Sequence, residues 1–334
     1  MIVFGKRELQ SKEWISQLGD HNLSSRVEPR LLLESRPYTV RINCLRTVFY
    51  MENNAVLLIS CPDRKGIVAS VSQFLYRHGA NIIHADQHLD QELNLFFMRV
   101  EWNLDEFDLP IKSFKDHFKP IALKFKMDWH IGTSKDRSKV AIFVSKQDHC
   151  LSDLLYRYNQ KELNCEIDLI VSNHPIAKKL ADFYHIPFYE ISINKNNKES
   201  AEKKILLFLK KYNVNLIVLA RYMQILSPDI VRRYPNKIIN IHHSFLPAFI
   251  GANPYNKAYD RGVKIIGATS HYVTEGLDDG PIIEQDVIRI SHRDEVKDLI
   301  SKGRDLEKIV LFRAIKLHTE NKILIYSNKT VVFN

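Results

Sequence analysis

Between residues 140 and 241, five short apolar runs alternate with stretches of helical periodicity. The runs are Val140–Val144, Glu166–Val171, Phe188–Ile191, Leu216–Leu219 and Lys237–Ile241; the helical stretches include Leu151–Tyr158 and Ala201–Tyr212. Short apolar runs spaced by amphipathic helices are the pattern of a mostly parallel sheet covered by helices on both faces, and few other architectures can bury it. Ile265–Val273 and Ile282–Ile290 read as later strands, and Val296–Thr319 reads as a closing helix. Ligands of open sheets of this type sit outside the carboxyl ends of the strands, which draws attention to the residues around 240.

A different order precedes this alternation. Ala55–Ser60 reads as a buried strand, Pro62–Gly66 as a turn, and Ile67–His78 as an amphipathic helix ended by Gly79. Asn81–Asp86 and Leu95–Glu101 supply two more strands, Ile111–Phe118 a second helix, and Leu123–Trp129 a fourth strand, giving the βαββαβ order of a split-βαβ sandwich. The polar stretch 132–138 is expected to link this module, residues 54–131, to the larger one, residues 139–334. Residues 1–53 differ in character from both. Arginines at 26, 30, 36, 41 and 46 are offset by acids that transit peptides avoid, so the segment reads as an extension, a disordered tail or a mis-assigned start before Met51.

Composition narrows the function classes. Four cysteines, Cys44, Cys61, Cys150 and Cys165, lie far apart without Cys-x-x-Cys spacing, which argues against a disulfide framework or a zinc site and suits a reducing cytoplasm. No apolar stretch approaches the ~20 residues that cross a bilayer. The formal charge of +9 is spread among acids with no basic block interleaved with aromatics, so a solvated basic surface explains it better than a nucleic-acid interface.

Chemistry concentrates in two runs, Asn240-Ile-His-His-Ser-Phe-Leu-Pro247 and His271-Tyr-Val-Thr-Glu-Gly-Leu-Asp-Asp-Gly-Pro281. Asn240 and His242 are two apart in an extended segment and therefore point to the same side. A side-chain amide and a protonated imidazole can stabilise the oxyanion that forms when water attacks a formyl carbonyl, and a carboxylate, Asp278, can set the charge of that imidazole. His243 has no comparable warrant.

These runs resemble the Asn-x-His-x-Ser-x-Leu-Pro and His-x-x-x-x-x-Leu-Asp-x-Gly-Pro signatures of the formyltetrahydrofolate-dependent transferase fold. Residues 249–255, Gly267–Val273, Lys302–Lys308 and Asn328–Phe333 resemble more narrowly its formyltetrahydrofolate deformylase branch. The resemblance implies a Rossmann-like formyltransferase domain that acts on 10-formyltetrahydrofolate. Catalytic roles would fall on Asn240, His242 and Asp278, and a supporting role on His271. It also implies a pterin wall at Met223, Ile225 and Leu226, helped by Gly276 and Gly280, although a plain helix entry before Pro228 accounts for the same residues. Neither metal nor cofactor is expected.

The Cys61-Pro-Asp-Arg-x-Gly66 turn resembles an ACT regulatory domain, which implies a ferredoxin-like module with a small amino acid near Asp63, Gly66 and Asn81 where neighbouring subunits of a homo-oligomer meet. Gly66 as a plain helix entry explains the turn equally well. Hydrolysis would release formate for purine synthesis and balance the one-carbon folate pool. Two alternatives stay open: a glycinamide ribonucleotide formyltransferase and a non-catalytic folate or amino-acid sensor. The former needs a phosphate cradle after the first strand of the larger domain, and Ser145–Leu151 contains no glycine.

Overall fold

The computed structural model describes residues 53–248 and 254–333, so expectations for the N-terminal extension and for most of the 249–255 motif lie outside it. The first module runs β1 (Asn54–Pro62), α1 (Ile67–Arg77), β2 (Asn81–Asp90), β3 (Leu95–Asn103), α2 (Ile111–Phe125) and β4 (Asp128–Thr133). Its four strands form an antiparallel sheet in the order β2-β3-β1-β4. Both helices pack on one face, where Ile59, Val71, Leu75, Trp102, Phe114 and Phe118 make the core.

The first three strands run a few residues longer than read, and the junction of the second helix with the fourth strand differs most from expectation. The second helix continues to Phe125, and the last strand starts at Asp128. Phe114, Phe118, Ala122 and Phe125 are buried at helical spacing, and that stripe outweighs Pro120, which removes one backbone donor from the helix. Lys126 then ends the helix in the left-handed conformation, φ 55°. The stretch expected as a linker is shorter, because Gly132 and Thr133 pair within β4 and Ser138 opens the next strand.

The second module continues with β5 (Ser138–Val144), α3 (His149–Asn159), β6 (Cys165–Ser172), a 3₁₀ turn (Pro175–Ala177), α4 (Lys178–Phe183), β7 (Phe188–Glu190), α5 (Lys198–Lys211), β8 (Leu216–Ala220), α6 (Pro228–Arg233) and β9 (Ile238–His242). It closes with α7 (Pro254–Arg261), β10 (Ile265–Tyr272), β11 (Ile282–Arg289), α8 (Val296–Thr319), β12 (Ile323–Tyr326) and β13 (Lys329–Val332). Seven strands lie in the order β11-β10-β9-β8-β5-β6-β7, with β5 to β9 parallel and β10 and β11 antiparallel. Leu154, Val310 and Leu311 belong to the core on one face of the sheet, and Ile205, Leu209 and Ile230 to the core on the other. Apolar residues that alternate along one strand serve both cores, as Ile142 and Phe143 do, which is why these strands read as continuous apolar runs.

The two modules are joined by more than the chain. Val331 and Phe333 of the C-terminal hairpin pack against Val56, Leu58 and Phe97, covering the free face of the first sheet. Buried Arg99 donates to the carbonyls of Asn321 at 3.1 Å and Glu320 at 3.4 Å, capping the end of α8 from β3.

The extended α2 makes a direct prediction. Leu123 is 69% exposed and Phe125 3% exposed. Leu123→Lys should therefore leave the thermal midpoint within about 2 °C of the parent, whereas Phe125→Ala should cost about 3–5 kcal/mol. Thermal unfolding of the two variants checks this, since a strand over Leu123–Trp129 would not give that contrast.

Candidate active site

The site forms where β9 ends beside β10. The antiparallel register sets His271 opposite Asn240 and Thr269 opposite His242, so two residues from each strand meet at one edge. Asn240 Nδ2 lies 3.2 Å from His271 Nε2. His271 Nδ1 lies 2.9 Å from the carbonyl of Tyr272, which fixes Nδ1 as the donor. His271 Nε2 thus stands between the Asn240 amide and Asp278 Oδ1, and the amide hydrogen not turned to the ring can serve a ligand.

The segment after β10 returns Asp278 to this edge. His242 Nδ1 stands 3.1 Å from Asp278 Oδ2, and His271 Nε2 stands 3.6 Å from Asp278 Oδ1. The His242 and His271 side chains together hold the Asp278 carboxyl well below the usual carboxylate range, against the opposing effect of burial. Asp278 sits in the left-handed region at φ 55°, a conformation uncommon for a residue with a side chain. The constraint behind that turn is Gly280, where a Cβ would lie 1.7 Å from the Tyr272 carbonyl oxygen. Asn328 of the C-terminal hairpin donates to the Asp279 carbonyl at 2.8 Å and steadies the same loop.

His242 is 6% exposed. Its Nδ1 faces Asp278, while its Nε2 is buried with no hydrogen-bond partner among the described residues. Buried ring nitrogens are normally satisfied, so this nitrogen, at the carboxyl edge of the sheet, is available to a ligand oxygen. The rest of the first run is structural. Thr269 Oγ1 accepts from the Leu246 amide at 3.0 Å and from Gln285 Nε2 at 2.9 Å, and donates to the Ser244 carbonyl at 2.9 Å.

The expected pterin wall divides. Ile225 and Leu226, with Ser227, Pro228, Leu206 and Glu275, line a cleft of about 810 Å³ on the α5/α6 side of the sheet. Leu226 is also a core residue, packed with Tyr222 and Ile230, whereas Met223 is 62% exposed and outside the cleft lining. Gly276 lies one residue beyond Glu275, with the Asp279 side chain 3.2 Å from where its Cβ would be.

The proposed effector residues are not gathered within one chain. Asp63 and Gly66 follow the carboxyl end of β1, level with Leu95, whereas Asn81 pairs with Asn103 at the other end of β3. Helix α1, 11 residues long, separates them by about 16 Å of rise. Gly66 has φ +93° and open space around it, so the left-handed helix entry alone accounts for it.

Sequence reasoning missed a second group of polar residues, His149, Arg221, Tyr255 and Glu307, which meet beside His243. They come from four separate elements, so no spacing in the chain announces them.

A mostly parallel α/β sheet with an amide, an imidazole and a carboxylate at one strand edge, preceded by a split-βαβ module, has the groups that acyl-transfer chemistry uses, carried on a two-module α/β chain. The formyl transferase family matches residues 138–315 and the ACT domain family residues 55–103. A formyltetrahydrofolate deformylase from Synechocystis sp. is 55% identical over 284 residues, covering 85% of this chain and 100% of the relative. The crystal structure of one from Pseudomonas syringae pv. tomato superposes with a TM-score of 0.84 at 46% identity, covering 86% of this chain and 96% of that one. A glycinamide ribonucleotide transformylase from Symbiobacterium toebii gives a TM-score of 0.56 at 25% identity and covers 59% of this chain and 95% of its own. The chain belongs to the formyltetrahydrofolate deformylase family. No helix among the described residues is long and apolar enough to cross a membrane.

Because a Cβ at Gly280 would collide with backbone, Gly280→Ala should displace Asp278 and lower turnover by at least about a hundredfold while far-UV circular dichroism stays parental. Retained activity would show that the loop does not need this approach.

Proposed function

We propose that the chain hydrolyses 10-formyltetrahydrofolate to tetrahydrofolate and formate, with Asn240, His242 and Asp278 as its catalytic residues and His271 in support. The observation that carries the reading is the buried, unpartnered Nε2 of His242, beside an amide with a hydrogen to spare. The folate would enter through the cleft beside Ile225 and Leu226, with its anionic tail toward Lys195 and Lys198, since Lys203 is paired with Glu199. In this reading the formyl oxygen lies between His242 Nε2 and Asn240 Nδ2. Water attacks the formyl carbon, and its proton passes to the His242–Asp278 pair, which returns a proton to N10 as the amine leaves. Both donors stabilise the tetrahedral oxyanion, Asp278 supports the positive charge on the ring, and protonation of N10 breaks the carbon–nitrogen bond. No step calls on a metal.

His242→Ala and Asn240→Ala should each lower kcat by at least about a hundredfold while folate binding persists, because each group acts mainly in the transition state. Parental turnover in either would remove the assignment. Asp278→Asn keeps the shape and loses the charge. The folded pKa of Asp278 lies below its ordinary value, so its contribution to stability is full above about pH 4 and is lost as pH falls through the folded value. The stability gap between parent and Asp278→Asn should thus close in strong acid; a gap that persists there would mean that Asp278 is not held by the two histidines.

We further propose that the first module binds a small amino acid between two copies of the chain, with glycine and methionine as first candidates. The separation of Asp63 and Gly66 from Asn81 supports a site that needs two copies. So does β2, an edge strand exposed along most of its length and carrying Ile82, Ile83 and Leu89 outward, a surface suited to pairing with a second copy. Such a ligand controls turnover only if it binds two states of the enzyme unequally. Formate release should respond to at least one member of an amino-acid panel in the parent and lose that response in Asp63→Ala. A parent that ignores the whole panel would leave the module an assembly role.

A further inference from the structure

The crevice at the topological switch point of the large sheet is filled by protein side chains. From β5 the chain moves outward to β6 and β7, then returns to β8 and β9 on the other side, so the carboxyl ends of β5 and β8 flank the position where open α/β sheets commonly hold a ligand. His149 at the start of α3, Arg221 directly after β8 and Tyr255 of α7 converge there on Glu307 of α8. His149 Nε2 is 2.8 Å from Glu307 Oε2, Arg221 Nε is 3.4 Å from the same oxygen, and Tyr255 donates to Glu307 Oε1 at 2.6 Å. Glu307 is 1% exposed, and the other three are buried or nearly so.

Two features show that the cluster is built around this meeting. Gly303, one turn before Glu307 on α8, makes room for the phenol: a Cβ there would lie 2.0 Å from the Tyr255 hydroxyl. Arg221 takes the left-handed conformation at φ 63° and is held by Gln147 Oε1 at 3.1 Å. Burial opposes the Glu307 charge, but the His149 hydrogen bond, the Arg221 charge and the Tyr255 hydroxyl together hold its carboxyl below the usual range.

The cluster reaches the catalytic residues through His243. The His243 ring centroid lies 5.3 Å from that of His242 and 5.9 Å from that of Tyr255. A metal is a poor occupant, although His149, Cys150 and Glu307 bring ligand-type atoms within 4.8 Å of one another. Both Glu307 oxygens already accept hydrogen bonds or face Arg221, and burial pushes the Cys150 thiol well above its ordinary range. A bare tie between α3, α7 and α8 would not call for charge, since apolar residues of similar volume hold helices together as well or better than a buried ion pair.

We propose that His149, Arg221, Tyr255 and Glu307, capped by His243, determine the choice of acceptor: they occupy the α3/α8 side of the crevice, so an amine cannot approach the formyl carbon from there and water is the nucleophile. The folate cleft lies on the α5/α6 side of the sheet and is left open. The inference rests on the reading of His242 as the group that faces the formyl oxygen.

Acceptor choice is measured by supplying 10-formyltetrahydrofolate with a large excess of glycinamide and quantifying N-formylglycinamide and formate. The parent should form formate alone above the uncatalysed background. Arg221→Gly, which suits the left-handed backbone, and Tyr255→Ala, which removes the phenol, should each raise the ratio of formylated amine to formate by at least about tenfold. Arg221→Lys, which keeps the crevice filled, should stay at the parental ratio. Active variants of both Arg221 and Tyr255 with a parental ratio would overturn the proposal, and so would a parent that formylates glycinamide as readily as it releases formate, whether or not the variants fold. A parent that releases no formate at all would instead remove the underlying reading of the site.

Discussion

The antiparallel register between β9 and β10 is the constraint on which the rest of the site depends. Five strands of the large sheet are parallel, and β10 reverses direction beside β9, which lays His271 against Asn240 without any loop between them. A slip of one residue would turn the opposed side chains to the other face of the sheet. Buried hydrogen bonds at Thr269 hold the Ser244–Leu246 segment to β10, and the C-terminal hairpin holds the loop that returns Asp278.

That frame makes an electrostatic arrangement that water alone would not support. Asp278 is mostly shielded from solvent, and its charge is tolerable because two imidazoles face its two oxygens. His242 in turn has one nitrogen facing the carboxylate and the other without a partner among the described residues. The polar groups are thus oriented before a substrate arrives, which lets them act on a developing charge without reorganising. On the other side of His243 a second buried charge, Glu307, is neutralised wholly by protein groups. Two buried carboxylates thus flank His242 and His243, Asp278 facing two imidazoles and Glu307 facing His149, Arg221 and Tyr255.

Much of this was legible in the chain. The alternation of apolar strands and helices after Val140 gave the sheet, and Val296–Thr319 coincides with α8 residue for residue. Asn240, His242, His271 and Asp278 were visible because they lie in two short runs, and the i, i+2 geometry of a strand placed the first pair together. The reading failed where local signals compete. The second helix reads as ending at Phe118, yet the buried stripe of Phe118, Ala122 and Phe125 carries it on past Pro120. Leu226, expected in a binding wall, serves the core as well, since an apolar residue looks alike in either place. The Glu307 cluster was out of reach because its members are brought together only by the crossing of α3, α7 and α8 at the switch point.

The central claim is that His242 Nε2 and Asn240 Nδ2 are the two donors to the reacting oxygen. A crystal structure of the enzyme with a folate analogue bearing a hydrated aldehyde in place of the formyl group tests it most directly, because the gem-diol reproduces the tetrahedral carbon. The account predicts one diol oxygen within about 3 Å of both nitrogens, and the other near Asp278 and His242. A diol oxygen bound by different donors, with His242 Nε2 still without a partner, would contradict it.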